Sequence, residues 1–161
     1  MAPRIDVRTV LGRRRIGALL VASLLSATSG EALAADYKSV GNDPAIFYDA
    51  PTLRGTRTAV APRGMPVEVI VAQGDWVRVR DSGGAFSWAE RKSLVDKRTV
   101  VATNPAPIDV RATADDGAAV VFRAQPGVLL DLATPPSGGW VGVRHRDGQS
   151  GFVRVGSVWG E

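Results

Sequence analysis

Beyond residue 35, apolar and polar positions alternate along the chain with a period of two. Met65, Val67, Val69 and Val71 alternate with Pro66, Glu68, Ile70 and Ala72. Further on, Val128, Leu130 and Leu132 alternate with Leu129, Asp131 and Ala133. Trp76, Arg78 and Arg80 then fall on one face of a segment whose other face holds Val77 and Val79. A two-residue period is the signature of half-buried β-strands. Turn-forming runs separate these segments: Gln73-Gly74-Asp75, Asp81-Ser82-Gly83-Gly84, Pro135 through Gly139, and Asp147-Gly148. No stretch beyond residue 35 sustains a helical period. Ser93-Leu94-Val95 and Ser157-Val158-Trp159 each read as a single tight helical turn.

The pattern occurs twice. Gly64 matches Gly127, Trp76-Val77-Arg78-Val79-Arg80 matches Trp140-Val141-Gly142-Val143-Arg144, and Trp88 matches Phe152. The offset drifts from 62 between Asp36 and Arg98 to 64 between Trp76 and Trp140. Length differences are therefore small and belong in loops. This alignment sets Val110 against Tyr48. A duplicated unit of about 60 residues indicates two copies of one small domain. Short strands with frequent Gly and Pro turns predict an all-β fold of two tandem small barrels, because closure removes exposed sheet edges. The units are assigned to residues 35–97 and 98–161. Val67, Val69, Val77, Val79 and Leu94 are expected inside the first, and Leu130, Leu132, Val141, Val143 and Val158 inside the second. Thr103-Asn104-Pro105-Ala106-Pro107 reads as a short, proline-stiffened junction, which favours a defined tandem.

Residues 1–34 have a different character. Arg13, Arg14 and Arg15 precede an apolar run from Ile16 to Ala27, and small residues lead to Ala32-Leu33-Ala34. A basic start, a short apolar middle and an A-x-A ending make a secretory signal peptide, with cleavage expected between Ala34 and Ala35. The run is shorter than the roughly 20 residues that span a bilayer as a helix, so the mature chain is expected to carry no stable membrane span. The adjacent arginines are compatible with a general secretory or a twin-arginine route. A periplasmic or secreted location follows. The formal net charge of +4 then shrinks, since most of it lies in the leader. No clustered basic patch remains to offset phosphate repulsion, so nucleic acid is not an expected partner. With no cysteine in the chain, no disulfide is available, and packing alone must hold two domains each of marginal size.

Two segments carry a family resemblance. "GMPVEVIVAQGDWVRVRDSGGAFSWAERKSLV" resembles the bacterial SH3-like (SH3b) pattern, in which a glycine opens an alternating strand, a turn precedes W-x-x-V, and a G-W-V-like strand leads into a short helical turn ending in Leu. "PGVLLDLATPPSGGWVGVRHRDGQSGFVRVGSVW" repeats that order. "YDAP" at Tyr48 and "VRAT" at Val110 stand where the family shows its "VRSGP"-like start. Ser87 and Ala89 depart from the pattern on either side of Trp88. The resemblance implies two SH3-like barrels and envelope-associated recognition, of cell-wall peptide or of protein, and it fixes no ligand.

The residues offer little for catalysis. The single histidine, His145, sits in "VRHRDG" at the approach to a hairpin turn, and no nucleophile stands in a recognisable motif. One His and no Cys give poor material for a metal centre. There is no P-loop, dinucleotide fingerprint or H-E-x-x-H. No enzymatic activity and no cofactor are expected.

The aromatics remain. A peptide-holding groove would use Tyr48, Trp76, Arg78 and Trp88 in the first unit, and Trp140 with Trp159 in the second. Trp88 and Phe152 share a position and read first as core, on the large area aromatics bury. Trp76 and Trp140 share faces with Arg78, Arg80 and Arg144, which reads as a partly wet surface. The expected function is a non-catalytic, exported tandem module recognising cell-wall peptide, peptidoglycan or a short peptide. The alternative is an envelope protein–protein adaptor.

Overall fold

In the computed structural model, residues 35–41 and 43–161 are described; the expected signal peptide and its cleavage at Ala34 lie outside them. The alternating segments form fourteen short strands. The first seven are β1 (Tyr37–Val40), β2 (Ala45–Tyr48), β3 (Arg57–Ala61), β4 (Pro66–Gln73), β5 (Trp76–Arg80), β6 (Phe86–Glu90) and β7 (Leu94–Val95). They make one antiparallel sheet in the order β3-β2-β6-β5-β4-β1-β7. The next seven are β8 (Thr99–Ala102), β9 (Ile108–Arg111), β10 (Val120–Ala124), β11 (Leu129–Ser137), β12 (Trp140–Arg144), β13 (Ser150–Arg154) and β14 (Val158–Trp159). Their order is β10-β9-β13-β12-β11-β8-β14. Each strand of the second sheet takes the place of the strand seven before it.

Every strand of the first sheet puts a side chain into one core: Val40, Ala45, Phe47, Ala61, Val67, Val77, Val79, Ala89 and Leu94. A flat sheet cannot gather all its strands on one cluster, so the sheet curls around it. The second sheet does the same about Val100, Ile108, Val110, Leu130, Val141, Val143, Val153 and Val158. Both barrels expected from the periodicity are present. Val67, Val77, Val79 and Leu94 are buried as expected, as are Leu130, Val141, Val143 and Val158. Val69 and Leu132 only pack against the cores from the side. The reason is a register shift after each of them, between Val69 and Val71 and between Leu132 and Thr134. A bulge turns the strand, and Ile70 and Val71 emerge into solvent.

Trp88 and Phe152 are not core residues. Both are half-buried, and the inward positions belong to their neighbours Ala89 and Val153, each 0% exposed. The pairings Val77 with Ala89 and Val141 with Val153 decide this, because directly opposed residues share a sheet face. The expected helical turns also lie slightly earlier, as 3-10 turns at Arg91–Ser93 and Val155–Ser157. Leu94 and Val158 belong instead to the short strands β7 and β14, where pairing with β1 and β8 points them inward.

Gly64 and Gly127 hold the matching turns before β4 and β11. Each has φ of +79°, a conformation that costs other residues dearly. The N–H of Met65 donates to the Pro62 carbonyl at 3.1 Å, and Val128 to Gln125 at 3.1 Å.

The two sheets belong to one compact unit. Thr103–Pro107 is not the junction between them, because β8 precedes it and already pairs within the second sheet. The link is the segment Asp96-Lys97-Arg98, and each of its side chains has a polar partner. Asp96 pairs with Lys38, Lys97 reaches Asp131 at 2.8 Å, and Arg98 donates to the Gly160 carbonyl at 2.8 Å. Behind the link, Ser39 and Thr99 hold buried hydroxyls 2.6 Å apart, and Thr99 donates to the Gly64 carbonyl at 2.7 Å. Gly160, with φ of +110°, lies so close to Thr99 and Pro66 that an added Cβ would stand 2.7 Å from the Thr99 carbonyl oxygen.

Candidate functional site

The outer face of β2, β6 and β5 gathers the four aromatic-groove residues expected in the first barrel. Tyr48 stands opposite Trp88, and Trp88 stands opposite Arg78, in one line across three strands. Trp76 lies two residues before Arg78 on the same face. Its ring meets that of Tyr48 edge to face, with centroids 5.4 Å apart and planes at 86°. Such a pair holds its geometry through the ring quadrupoles. Tyr48 is 4% exposed, whereas Trp76 and Trp88 are half-buried and Arg78 is exposed. Tyr48 is thus a floor, and the tryptophans with Arg78 form an accessible surface above it.

Phe86 belongs to this surface and was not among the expected residues. It is 51% exposed, and the Arg78 guanidinium stacks over its ring at 5.0 Å. The signal was in the period of two: Phe86, Trp88 and Glu90 share one face of β6. The result is a strip of aromatic rings with an arginine on its rim. It suits an extended chain with apolar groups, held by stacking and by hydrogen bonds from the guanidinium.

The second barrel differs at the same place. The structural counterpart of Tyr48 is Arg111, not Val110. Arg111 stands opposite Phe152 as Tyr48 stands opposite Trp88. Val110, 0% exposed, is a core residue and takes the place of Phe47. The offset has already reached 63 at this strand, and a slip of one residue sends each side chain to the other face.

Around Arg111 lies a concavity of about 450 Å³. Its charged groups are Asp109, Arg111, Asp116, Arg123 and Arg154, and Trp140 forms part of its wall. Trp140 is 7% exposed, so the partly wet surface expected for it is closed. The cause is Arg154, its partner across β12 and β13, whose guanidinium covers the indole at 4.2 Å. Arg154 Nε also donates to Asp116 Oδ1 at 3.2 Å, and Nη2 pairs with the other oxygen of that carboxylate. Asp109 receives Arg123 Nε at 2.9 Å and Arg111 Nη2 at 3.2 Å.

Trp159 is not brought to Trp140. It sits at the seam of the two sheets, edge to face with Tyr37 at 5.1 Å. Arg98 lies over the other ring of that pair, 5.2 Å from the centre of Tyr37. Burial, and then the nearby Glu68 and Glu161 carboxylates, push the Tyr37 phenol above its ordinary range. Burial likewise raises the Glu161 carboxyl, against the pull of Arg98. Glu161 Oε2 and Arg98 Nε are both buried without a hydrogen-bond partner.

His145 lies at the expected hairpin turn, with Nδ1 3.0 Å from Asp147 Oδ2. The Gln149 backbone N–H, and then His145, hold the Asp147 carboxyl below its usual range. Among the described residues no three His, Asp or Glu side chains gather as metal ligands, and no helix is long and apolar enough to cross a membrane.

A family model described as "Bacterial SH3 domain" matches residues 41–96 and again residues 104–160. Among solved structures, NlpC2 from Trichomonas vaginalis is 9% identical, with 80% of this chain and 49% of that one covered and a TM-score of 0.36. NlpC1 from the same organism is 11% identical over 86% and 50%, also at 0.36. An NlpC/P60 family protein from Bacillus cereus ATCC 10987 is 14% identical over 77% and 56%, again at 0.36. The chain spans about half the length of these structures. No curated protein matches it.

Proposed function

The chain belongs to the bacterial SH3 domain family, and from that premise we propose that it is an exported, non-catalytic binding module of the cell envelope whose first barrel takes cell-wall peptide. The observation that carries this reading is the aromatic strip. Tyr48 and Trp76 lock each other edge to face, and Trp88, Phe86 and Arg78 extend the same surface. Rigid rings presented together lose little conformational freedom on binding, which favours recognition over chance exposure. In this reading the mature chain begins at Ala35, and its units divide between Lys97 and Arg98. The leader pattern supports a periplasmic or secreted location.

Sedimentation with purified insoluble peptidoglycan tests the proposal. The mature protein is expected in the pellet, and Trp76→Ala is expected to remain in the supernatant. A wild-type protein left wholly in solution would overturn the cell-wall ligand.

A protein–protein adaptor is the second reading, and β3 favours it. That strand pairs only with β2 among the described strands, and its Val60 is 70% exposed. An open edge with an exposed β-branched residue suits strand addition by a partner. Crosslinking in the envelope that yields one protein partner, with no pelleting by peptidoglycan, would select this reading.

A further inference from the structure

We infer that the concavity of the second barrel is a binding site for the free carboxylate of a short peptide, separate from the aromatic strip and different in chemistry. Three arginines face it, Arg111, Arg123 and Arg154, against two carboxylates, Asp109 and Asp116. The lining therefore carries a net positive charge.

The two aspartates do different jobs. Asp109 joins Arg111 and Arg123, and Arg111 is fixed further by donating Nη1 to the Ala118 carbonyl at 2.8 Å. That half of the site is built into β9 and its neighbour β10. Asp116 lies in the loop between those strands, with its side chain 71% exposed. It engages the guanidinium fork of Arg154 through both oxygens, the planar geometry in which arginine recognises carboxylates. The chain itself thus shows a carboxylate seated there, above Trp140.

An exposed ion pair of this kind is worth little, and a loop residue leaves it at low cost. A ligand carboxylate can therefore replace Asp116 on Arg154. Once seated, it is drawn by Arg123 as well, and the exposed Pro107 on the same wall offers apolar contact to a small side chain beside it. Asp116 acts as a place-holder that keeps the arginine fork open and oriented. The equivalent place in the first barrel lacks all of this. It has Tyr48 for Arg111 and Glu90 for Arg154, and Glu90 pairs with Lys92 at 2.8 Å.

The test uses N-acetyl-alanyl-alanine with a free C-terminus, its C-terminal amide, and inorganic phosphate, each titrated into the mature protein and followed by indole NMR shifts. The acid is expected to shift the Trp140 indole and to bind at least tenfold more tightly than the amide. Asp116→Asn removes the competing carboxylate and is expected to tighten binding of the acid severalfold. Arg154→Gln is expected to abolish it. If Arg154→Gln fails to fold, Asp116→Asn still decides, because loss of a merely structural ion pair would not strengthen binding. Trp76→Ala, in the other barrel, is expected to leave this titration unchanged whatever becomes of the peptidoglycan assay. Equal binding of acid and amide, no binding by either, or no tightening in Asp116→Asn would overturn the site. Phosphate binding more tightly than the acid would overturn the carboxylate assignment in favour of a phosphate ligand.

Discussion

Ser39 donates its hydroxyl proton to Thr99 across the seam between the two sheets. The direction is forced: Thr99 has one hydroxyl proton and gives it to the Gly64 carbonyl 2.7 Å away, so only Ser39 can supply the proton in the 2.6 Å contact. Both residues are almost wholly buried, at 2% and 4% exposure. The relay ties β1, β8 and the turn before β4 into one network.

Removing the two hydroxyls should therefore cost different amounts. Thr99→Val leaves the Gly64 carbonyl and the Ser39 hydroxyl without partners, and should destabilise the protein by about 1–3 kcal/mol. Ser39→Ala should cost less, since Thr99 keeps its bond to Gly64. Denaturant unfolding of both variants measures this, and equal costs would contradict the direction of the relay.

Among the described residues, Leu130 is the largest of the fully buried side chains. Leu130→Ala should cost about 2–5 kcal/mol, the usual range for a cavity left in a packed core. Trp88→Ala should cost less than about 3 kcal/mol, because part of that side chain already meets water. Thermal melts of the two variants give the comparison, and the larger loss is expected from leucine.

Trp76→Ala should abolish retention on peptidoglycan while moving the melting temperature by only a few degrees. The lost ring contact with Tyr48 is worth about 0.5–1.5 kcal/mol. A fall in stability as large as that of Leu130→Ala would place Trp76 in a structural role.

Glu161 should leave a trace in the pH dependence of stability. Burial raises its carboxyl above the unfolded value. Below the unfolded pKa both states are protonated and nothing is lost. As pH climbs through the carboxylate range the unfolded chain releases its proton first, so stability falls as pH rises. Glu161→Gln should remove this component. Urea midpoints of both proteins between about pH 4 and 7 test it, and parallel profiles would refute it.

Much of the fold was legible because one rule, alternation, governs it. Val77 and Val79 against Trp76 and Arg78 read correctly from the sequence alone. The failures cluster where counting slips by one. The size of Trp88 points to the core, yet the parity of β6 gives that place to Ala89. An offset of 62 sets Val110 against Tyr48, whereas the drift has already reached 63 at β9 and makes Arg111 the counterpart. Aromatic character alone groups Trp159 with Trp140, but pairing of β14 with β8 carries it to the seam. The arginine fork above Trp140 could not be read at all, since Asp116 and Arg154 are far apart in the chain and meet only after the sheet has curled.

The short link Asp96-Lys97-Arg98, backed by the buried Ser39–Thr99–Gly64 relay, bears on any polymer that meets both surfaces. A flexible tether would let each barrel sample its own ligand, and the gain from joining them would fade with tether length. Here the separation and orientation of the two faces are set by the protein itself. With both surfaces binding as proposed, the pair would act as a caliper. A strand whose two recognised groups match the gap would be held at both ends, and one with the wrong spacing at one end only. Selectivity would then reside in a length, which neither barrel could measure alone.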